Sequence, residues 1–388
     1  MKRSTDRIIQ SHAGALHRPD DLRQIMQARR DEDPIDDALA ARMKSAVAEV
    51  VKLQHENGVD VVNDGEYTKR SWQTYSRGRL KGLEVRPLGP NDDPQYGSIT
   101  ARESRFFPEF FASSTAPGVQ AGQGRREGFF AVGPLEYIGQ REVQRDIEFI
   151  KAAAKDVPVG ELFLTALAPA TVEHWMRNQY YKSQEEMLFA IADAMHDEYK
   201  AITDAGIVLQ LDDPDLPDGY HTNPDMSVSE YKKWAEIRVD AINHAIRDCP
   251  EELVRLHICW GSSHHPHTQD IPFSEIIDIM YKCKAECYSF EAANPIHEWE
   301  WVVFEDHPLP AGKSIMPGIL GHAAREFVEH PELVAQRIMR YANLVGKENV
   351  IVGTDCGLQR VAHSSIQWAK FRAGRDGAAI ATKKLWGR

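Results

Sequence analysis

Eight short apolar or β-branched runs recur along the chain, most of them followed by a stretch with helical spacing, and this alternation constrains the fold more than any other feature. The runs are residues 8–14 (IIQSHAG), 59–66 (VDVVNDGE), 161–168 (ELFLTALA), 207–213 (IVLQLDD), 254–260 (VRLHICW), 286–292 (ECYSFEA), 314–320 (SIMPGIL) and 349–355 (NVIVGTD). Between them, 37–57, 185–205, 229–247, 273–282 and 331–345 place apolar residues on one helical face. Strands alternating with helices make parallel βαβ units, and eight such units predict a closed (β/α)8 TIM barrel. The 388 residues suit one such domain, spanning 1–388.

One connection breaks the rhythm. The segment between the second and third runs is far too long for a simple βα loop. Within it, 128–138 (GFFAVGPLEYI) predicts a hairpin around Val132-Gly133-Pro134, and 140–155 predicts the helix leading back to the barrel. We therefore expect an excursion over about 67–140, packed over one barrel end. The C-terminal 364–388 predicts a helix with a basic, frayed end.

Composition narrows the partners. A net charge of −12, with basic residues dispersed along the sequence, argues against a nucleic-acid surface. No apolar run is long enough to span a bilayer, and the start, MKRSTDRIIQSHAG, lacks the apolar core of a signal peptide. The five cysteines, an odd number, fit a reducing compartment, so the cytoplasm is the expected location. Barrels of this size commonly self-associate, so a homo-oligomer is an open expectation.

In a barrel, chemistry sits at the carboxyl ends of the strands. Alternate strand residues share a face, so His257 and Cys259 point the same way. The sixth run carries Glu291, and the eighth ends Thr354-Asp355-Cys356-Gly357. An imidazole, two thiolates and a carboxylate from three strands make a zinc ligand set: His257, Cys259, Glu291 and Cys356. A thiolate-rich zinc suits activation of a substrate thiol; water-activating sites usually carry histidine and carboxylate instead. The neighbouring cysteines Cys283 and Cys287 sit at a helix–strand join and are expected to be buried for packing.

These motifs together resemble the cobalamin-independent methionine synthase family, specifically its C-terminal catalytic barrel, over about residues 8–357. The family's His-x-Cys, later Glu and Asp-Cys-Gly correspond to His257, Cys259, Glu291 and Asp355-Cys356-Gly357. Its Asp-Glu-Pro-Ala-Leu is echoed by Asp212-Asp213-Pro214-Asp215-Leu216, its Gly-Glu by Gly65-Glu66, and its Pro-Val-Thr…Trp by Pro169-Ala170-Thr171 and Trp175. The barrel implied is of the methionine synthase/uroporphyrinogen decarboxylase type. The resemblance implies zinc and a small-molecule thiol alkylated by a methyl or alkyl donor. It also implies His322 near the leaving group, and Glu66 and Asp212 as substrate-orienting or acid/base groups. His12, Arg18 and Trp175 join Glu66 and Asp212 as substrate-binding candidates. The family's Gly-Ser-Phe/Leu-Pro-Arg loop reads Gly14-Ala15-Leu16-His17-Arg18 here. Ala15 replaces the serine that helps hold homocysteine, which points to another thiol. The chain is closer to single-barrel relatives such as the epoxyalkane–coenzyme M transferases.

Plainer roles stand beside these. Glu66 and Asp212 also suit ion pairs with Arg18, Lys69 or Arg70, and Trp175 suits packing. The cluster His264-His265-Pro266-His267 suits a polar loop or a proton donor. Phe106–Phe111 suits a satellite core or an apolar lid; Asp64 and Asp355 suit acceptors for backbone amides or a ligating histidine. On the same scaffold, thiol-dependent epoxide opening or C–S lysis is the alternative reaction. A metal-free decarboxylase and a non-enzymatic zinc protein are the more distant ones.

Overall fold

The computed structural model describes residues 1–30, 33–113, 127–261 and 265–387. In chain order its strands are β1 (Ile9–Gln10), β2 (Val61–Val62), β3 (Leu80–Pro87), β4 (Glu127–Tyr137), β5 (Glu161–Leu167), β6 (Met176–Asn178), β7 (Val208–Asp212), β8 (Val254–Ile258), β9 (Cys287–Phe290), β10 (Ser314–Leu320) and β11 (Ile351–Thr354). Each of the eight predicted runs supplies one strand of a parallel sheet ordered β1-β11-β10-β9-β8-β7-β5-β2. Its two ends meet where the Asp60 N–H donates to the Gln10 carbonyl (2.8 Å) and the Ser11 hydroxyl to the Val61 carbonyl (3.0 Å). The fold is a (β/α)8 barrel. Its first two strands are shorter than predicted, because the polar residues that follow leave the ladder for the rim. Gly65 and Glu66 both take positive φ there, and Asp64 accepts the Glu66 N–H (2.9 Å).

One layer of the barrel interior takes one residue from nearly every strand: Ile9, Val61, Phe163, Val208, Cys287, Met316 and Ile351. The strand without an apolar member is β8, where Arg255 pairs in register with Cys287 and is fully buried. Cys287 and Cys283 are both buried, in keeping with the packing role. Outside, the predicted helices form as Asp37–Glu56, Gln184–Asp204, Val228–Ala245, Phe273–Met280 and Pro331–Val345. Their starts are fixed locally: Asp36 and Ser183 accept N–H groups of the first turn, and Ser227 with Glu230 closes a capping box.

The excursion differs from expectation. Residues 128–138 do not turn back as a hairpin. Residues 128–137 lie in one continuous strand, β4, which pairs antiparallel with β3 and parallel with β6. Val132-Gly133-Pro134 makes a bulge instead, since Pro134 has no N–H for the ladder. Opposite it, Gly82 has φ +87°, and a Cβ there would lie 2.3 Å from the Pro134 carbonyl oxygen. Only glycine fits. The chain then returns through the helix Gln140–Ala154, as predicted. At the C-terminus the helix runs from Ser364 to Trp386, Arg388 lies outside the described residues, and Lys347 donates to the Leu385 carbonyl (3.0 Å) and lies over the Trp386 ring.

A buried charge network fastens the side sheet to the barrel. Arg79 bonds Asp146 (2.5 Å) and Glu198 (3.1 Å), while Tyr75 and Tyr137 donate their hydroxyls to the two Glu198 oxygens (2.8 and 2.7 Å). The Tyr75 oxygen in turn accepts the Leu167 N–H at the end of β5 (3.1 Å). Truncating one partner of such a set strands the others without compensation. Arg79→Met is therefore expected to cost about 3–5 kcal/mol in denaturant unfolding. A loss under about 1 kcal/mol, the size of an exposed pair, would show that the network does not anchor the sheet.

Candidate metal centre

Strand parity builds the site. Arg255, His257 and Cys259 alternate inward along β8 and its end, and Cys287, Ser289 and Glu291 do so along β9. His257 stands in register with Asp212 on one side and Ser289 on the other. Ser289 Oγ lies 2.9 Å from His257 Nδ1, which leaves Nε2 facing the site, buried and without a hydrogen-bond partner among the described residues. Ligand atoms of His257, Cys259 and Cys356 lie within 4.8 Å of one another. Glu291 lies outside that grouping but is buried nearby. Its Oε2 accepts from Asn294 (3.1 Å), and its Oε1 has no partner among the described residues.

The electrostatics suit a cation. The Cys356 thiol is held well below its usual range by a hydrogen bond from Cys259 and by His257 and His322. The Cys259 thiol is pushed well above by the same bond and by burial. Burial, with Asp355 and Cys356 close by, raises the Glu291 carboxyl well above the carboxylate range. One thiolate, one thiol, an unpartnered imidazole nitrogen and an unpartnered carboxylate oxygen are what zinc would satisfy at once. Asp355 fixes the spacing of the two strand ends. Its Oδ1 accepts the N–H groups of Ala292 and Ala293 (2.8 Å each), and burial lifts its pKa to about 7.

A cleft opens beside this cluster, and Glu66, Asp212, His257, Cys259 and Cys356 share its wall. Asp212 accepts from Gln210 Nε2 (2.7 Å), and Glu66 accepts the Thr165 hydroxyl (3.1 Å). Burial and the other's charge push Asp212 well above the carboxylate range, and burial also raises Glu66. Lys69 donates to Thr165, and Arg18 donates to the Glu66 carbonyl (2.7 Å) and the Lys69 carbonyl. His322 is buried close enough to Cys356 to lower its thiol.

Residues 145–378, more than half of the chain, match the profile of the cobalamin-independent synthase family, catalytic domain. The chain belongs to that family. Among its relatives is the methionine synthase of Sulfolobus acidocaldarius, 24% identical over 349 residues, covering 89% of this chain and 84% of the relative. That of Saccharolobus solfataricus is also 24% identical, covering 96% and 94%. A B12-independent methionine synthase from Shewanella sp. W3-18-1, solved with selenomethionine, shares the fold at a TM-score of 0.71 and 19% identity, covering 98% of this chain and all of that one.

Two candidates of this cobalamin-independent synthase relative sit elsewhere than the sequence suggested. His12 lies beneath the cleft, edge-on to Phe163 and Phe371. Its Nε2 meets Gln54 (2.8 Å) and its Nδ1 accepts the Gly14 N–H (3.2 Å), so it supports the loop and does not line it. Burial lowers its pKa to about 3. Trp175 turns toward the side sheet, donating to the Gly97 carbonyl (3.2 Å), while Trp72 lines the cleft in its place. Parity would have found Ser289, Arg255 and Gln210, each two residues before a site residue on the same face. Nothing in the sequence marked Trp72.

Of the histidine run, His264 lies outside the described residues. His265 stacks on His267 (3.6 Å between centroids), and Phe111 packs near His265, whereas Phe106 is exposed. His267 (3.0 Å), His221 (2.7 Å) and His297 (3.0 Å) converge on the buried Asp270. Burial opposes its charge, yet the three rings hold Asp270 well below the usual range. Burial also opposes the charge of His297, but bonds to Asp270 and Glu300 raise its pKa from 6.5 to about 9.

Two outcomes follow. If the cluster holds zinc, Ser289→Ala is expected to weaken its binding about 10–100-fold in chelator competition, with the fold intact; unchanged affinity would mean that Ser289 does not orient the His257 ring. His297 is raised in the folded state, so its contribution is fully present below pH 6.5 and fades as pH climbs through about 9. The stability deficit of His297→Gln in denaturant should therefore shrink by up to about 3 kcal/mol between those limits. A deficit independent of pH would show that the ring is not held charged.

Proposed function

We propose that the chain is a zinc-dependent transferase that moves a methyl or alkyl group onto the sulfur of a small thiol other than homocysteine. The observation that carries this reading is the His257, Cys259 and Cys356 grouping within 4.8 Å on the wall of a cleft, with the buried Nε2 of His257 unpartnered. Family membership supports it, as does the fit of two sulfurs and one imidazole to zinc. His257, Cys259 and Cys356 would hold the ion, and Glu291 would be the fourth and most readily exchanged ligand. Bound there, zinc supplies the positive charge that keeps a substrate thiol deprotonated at neutral pH.

The chain's own residues do the rest. Ser289 fixes the ring of His257, and Asp355 fixes the end of β9 relative to that of β11. Glu66 and Asp212 face the cleft and orient the polar part of the substrate. In the transfer the sulfur forms a bond to the donor carbon, the bond from that carbon to its leaving group breaks, and the electron pair departs with the leaving group. His322, buried beside Cys356, is the acid that returns a proton to it. Ala13 and Ala15 line the cleft beside these groups, and their methyls offer no hydrogen bond to an amino-acid carboxylate.

Cys356→Ser is expected to abolish bound zinc by elemental analysis and to abolish thiol consumption against a panel of methyl donors and epoxides. Its unfolding transition should stay cooperative. Full turnover by a preparation shown to be metal-free would refute the reading.

A further inference from the structure

Folding gathers basic side chains that the sequence leaves dispersed. Beyond the metal cleft, on the same barrel rim, a cavity of about 820 Å3 is lined by His17, Arg18, Arg23, Arg325, Arg360 and His363. Among the described lining residues the one carboxylate is Asp20, whose side chain is 84% exposed and already paired with Arg23 (2.8 Å). The 23-residue helix Ser364–Trp386 begins at the cavity, directing its positive dipole end there. In a chain of net charge −12 this is a local reversal of sign, not a reflection of composition.

The cavity is built, and it joins the metal cleft. Gln359 and Arg360 line both. Its walls are tied from both sides. The His17 N–H donates to Gln367 (2.8 Å), His17 Nε2 bonds the Val361 carbonyl (2.8 Å), and the Gln359 N–H donates to the Ala15 carbonyl (3.2 Å). Arg325 donates through Nε to the Arg360 carbonyl (3.0 Å) and accepts the Ala362 N–H on its own carbonyl (3.0 Å). The Nε of Arg18 is out of reach of solvent and has no hydrogen-bond partner among the described residues. Size divides the labour. The cleft at the cysteines holds only about 30 Å3, room for a reacting end and little more, whereas the basic cavity falls within the range of small-molecule sites.

We infer that the basic cavity holds an anionic group, a carboxylate, sulfonate or phosphate, of a substrate whose reacting end lies in the metal cleft. Arg18, Arg325 and Arg360 would bind it with charge-assisted hydrogen bonds, and the helix start would add its dipole. The inference rests on the proposed transfer to a thiol, and it names the substrate class: a thiol or an alkyl donor that carries a negative charge remote from the reacting atom.

The test is calorimetric titration of the zinc-loaded protein with four thiols that share a three-methylene spacer, mercaptopropanesulfonate, mercaptobutyrate, mercaptopropanol and mercaptopropylamine, at low and high salt. If the anion belongs to the thiol, the two acidic thiols bind at least about tenfold tighter than the neutral one, less so at high salt. That preference is lost in the Arg325→Gln/Arg360→Gln double variant and reduced in Arg23→Gln, whose exposed side chain can be replaced without disturbing the walls. If it belongs to the donor, the thiols bind alike. Inorganic sulfate, added to protein saturated with mercaptopropanol, then binds at least about tenfold more tightly to the wild type than to the variants. The inference is overturned if neither the acidic thiols nor sulfate distinguish the wild type from Arg23→Gln and the double variant. Failure of the thiol reading looks different: no thiol of any charge binds, while sulfate still separates wild type from variants.

Discussion

The site depends on a guanidinium buried in the centre of the barrel. Arg255 cannot shed its proton, so folding must supply acceptors for it where no water reaches. It donates to Gln210 (2.8 Å), to the Ser11 hydroxyl (3.2 Å) and, at longer range, to the His12 carbonyl (3.4 Å), and it lies 4.2 Å over the Phe163 ring. These partners sit on or beside β1, β5 and β7, so one charge from β8 gathers several walls of the barrel. Because Gln210 gives its oxygen to Arg255, its amide nitrogen is committed the other way, to Asp212 (2.7 Å) and the Ala13 carbonyl (2.8 Å). The cleft's carboxylate and its first loop are thereby positioned from below.

The next layer up repeats the arrangement one strand step on. His257 follows Arg255 on the same face and meets Ser289; Cys259 follows His257, and Glu291 follows Ser289. A parallel sheet keeps neighbouring strands in register, so a pattern of polar residues at every second position becomes a stack of polar layers inside the barrel. The strand β11 joins through Asp355, whose carboxylate takes two N–H groups from the turn after Glu291. Gly318 makes this approach possible, since a Cβ there would stand 2.0 Å from the same Asp355 oxygen.

Period-two alternation and helix caps are local, so the eight strands, the main helices and the inward direction of His257 and Cys259 were legible in the sequence. The hairpin expected at 128–138 failed because Pro134 reads as a turn residue, while the partner that accommodates it, Gly82, lies half a hundred residues earlier. The direction of Trp175 was not legible for a similar reason: its indole N–H is held by the Gly97 carbonyl, in the part of the chain with the weakest pattern. The basic cavity was invisible, because Arg18, Arg23, Arg325 and Arg360 come together only when the first and last loops of the barrel meet.

The length of the excursion also has a physical account. Long βα loops leave backbone groups without partners, and the excursion supplies them. Arg102 donates to the carbonyls of Tyr220 (2.8 Å), Asn223 (2.9 Å) and Met226 (2.9 Å), closing the C-terminal end of the short helix Asp215–Thr222. Its neighbour Glu103, fully buried, accepts N–H groups from Thr268 (3.0 Å) and Gln269 (2.9 Å). Two adjacent residues of opposite charge thus clamp the loop after β7 to the loop after β8. Those loops carry His221 and Asp270, which bond each other across the same gap (2.7 Å). The clamp and the histidine cluster therefore brace one wall of the rim, and on the opposite wall, where the first and last loops meet, the basic cavity opens beside the cleft at the cysteines.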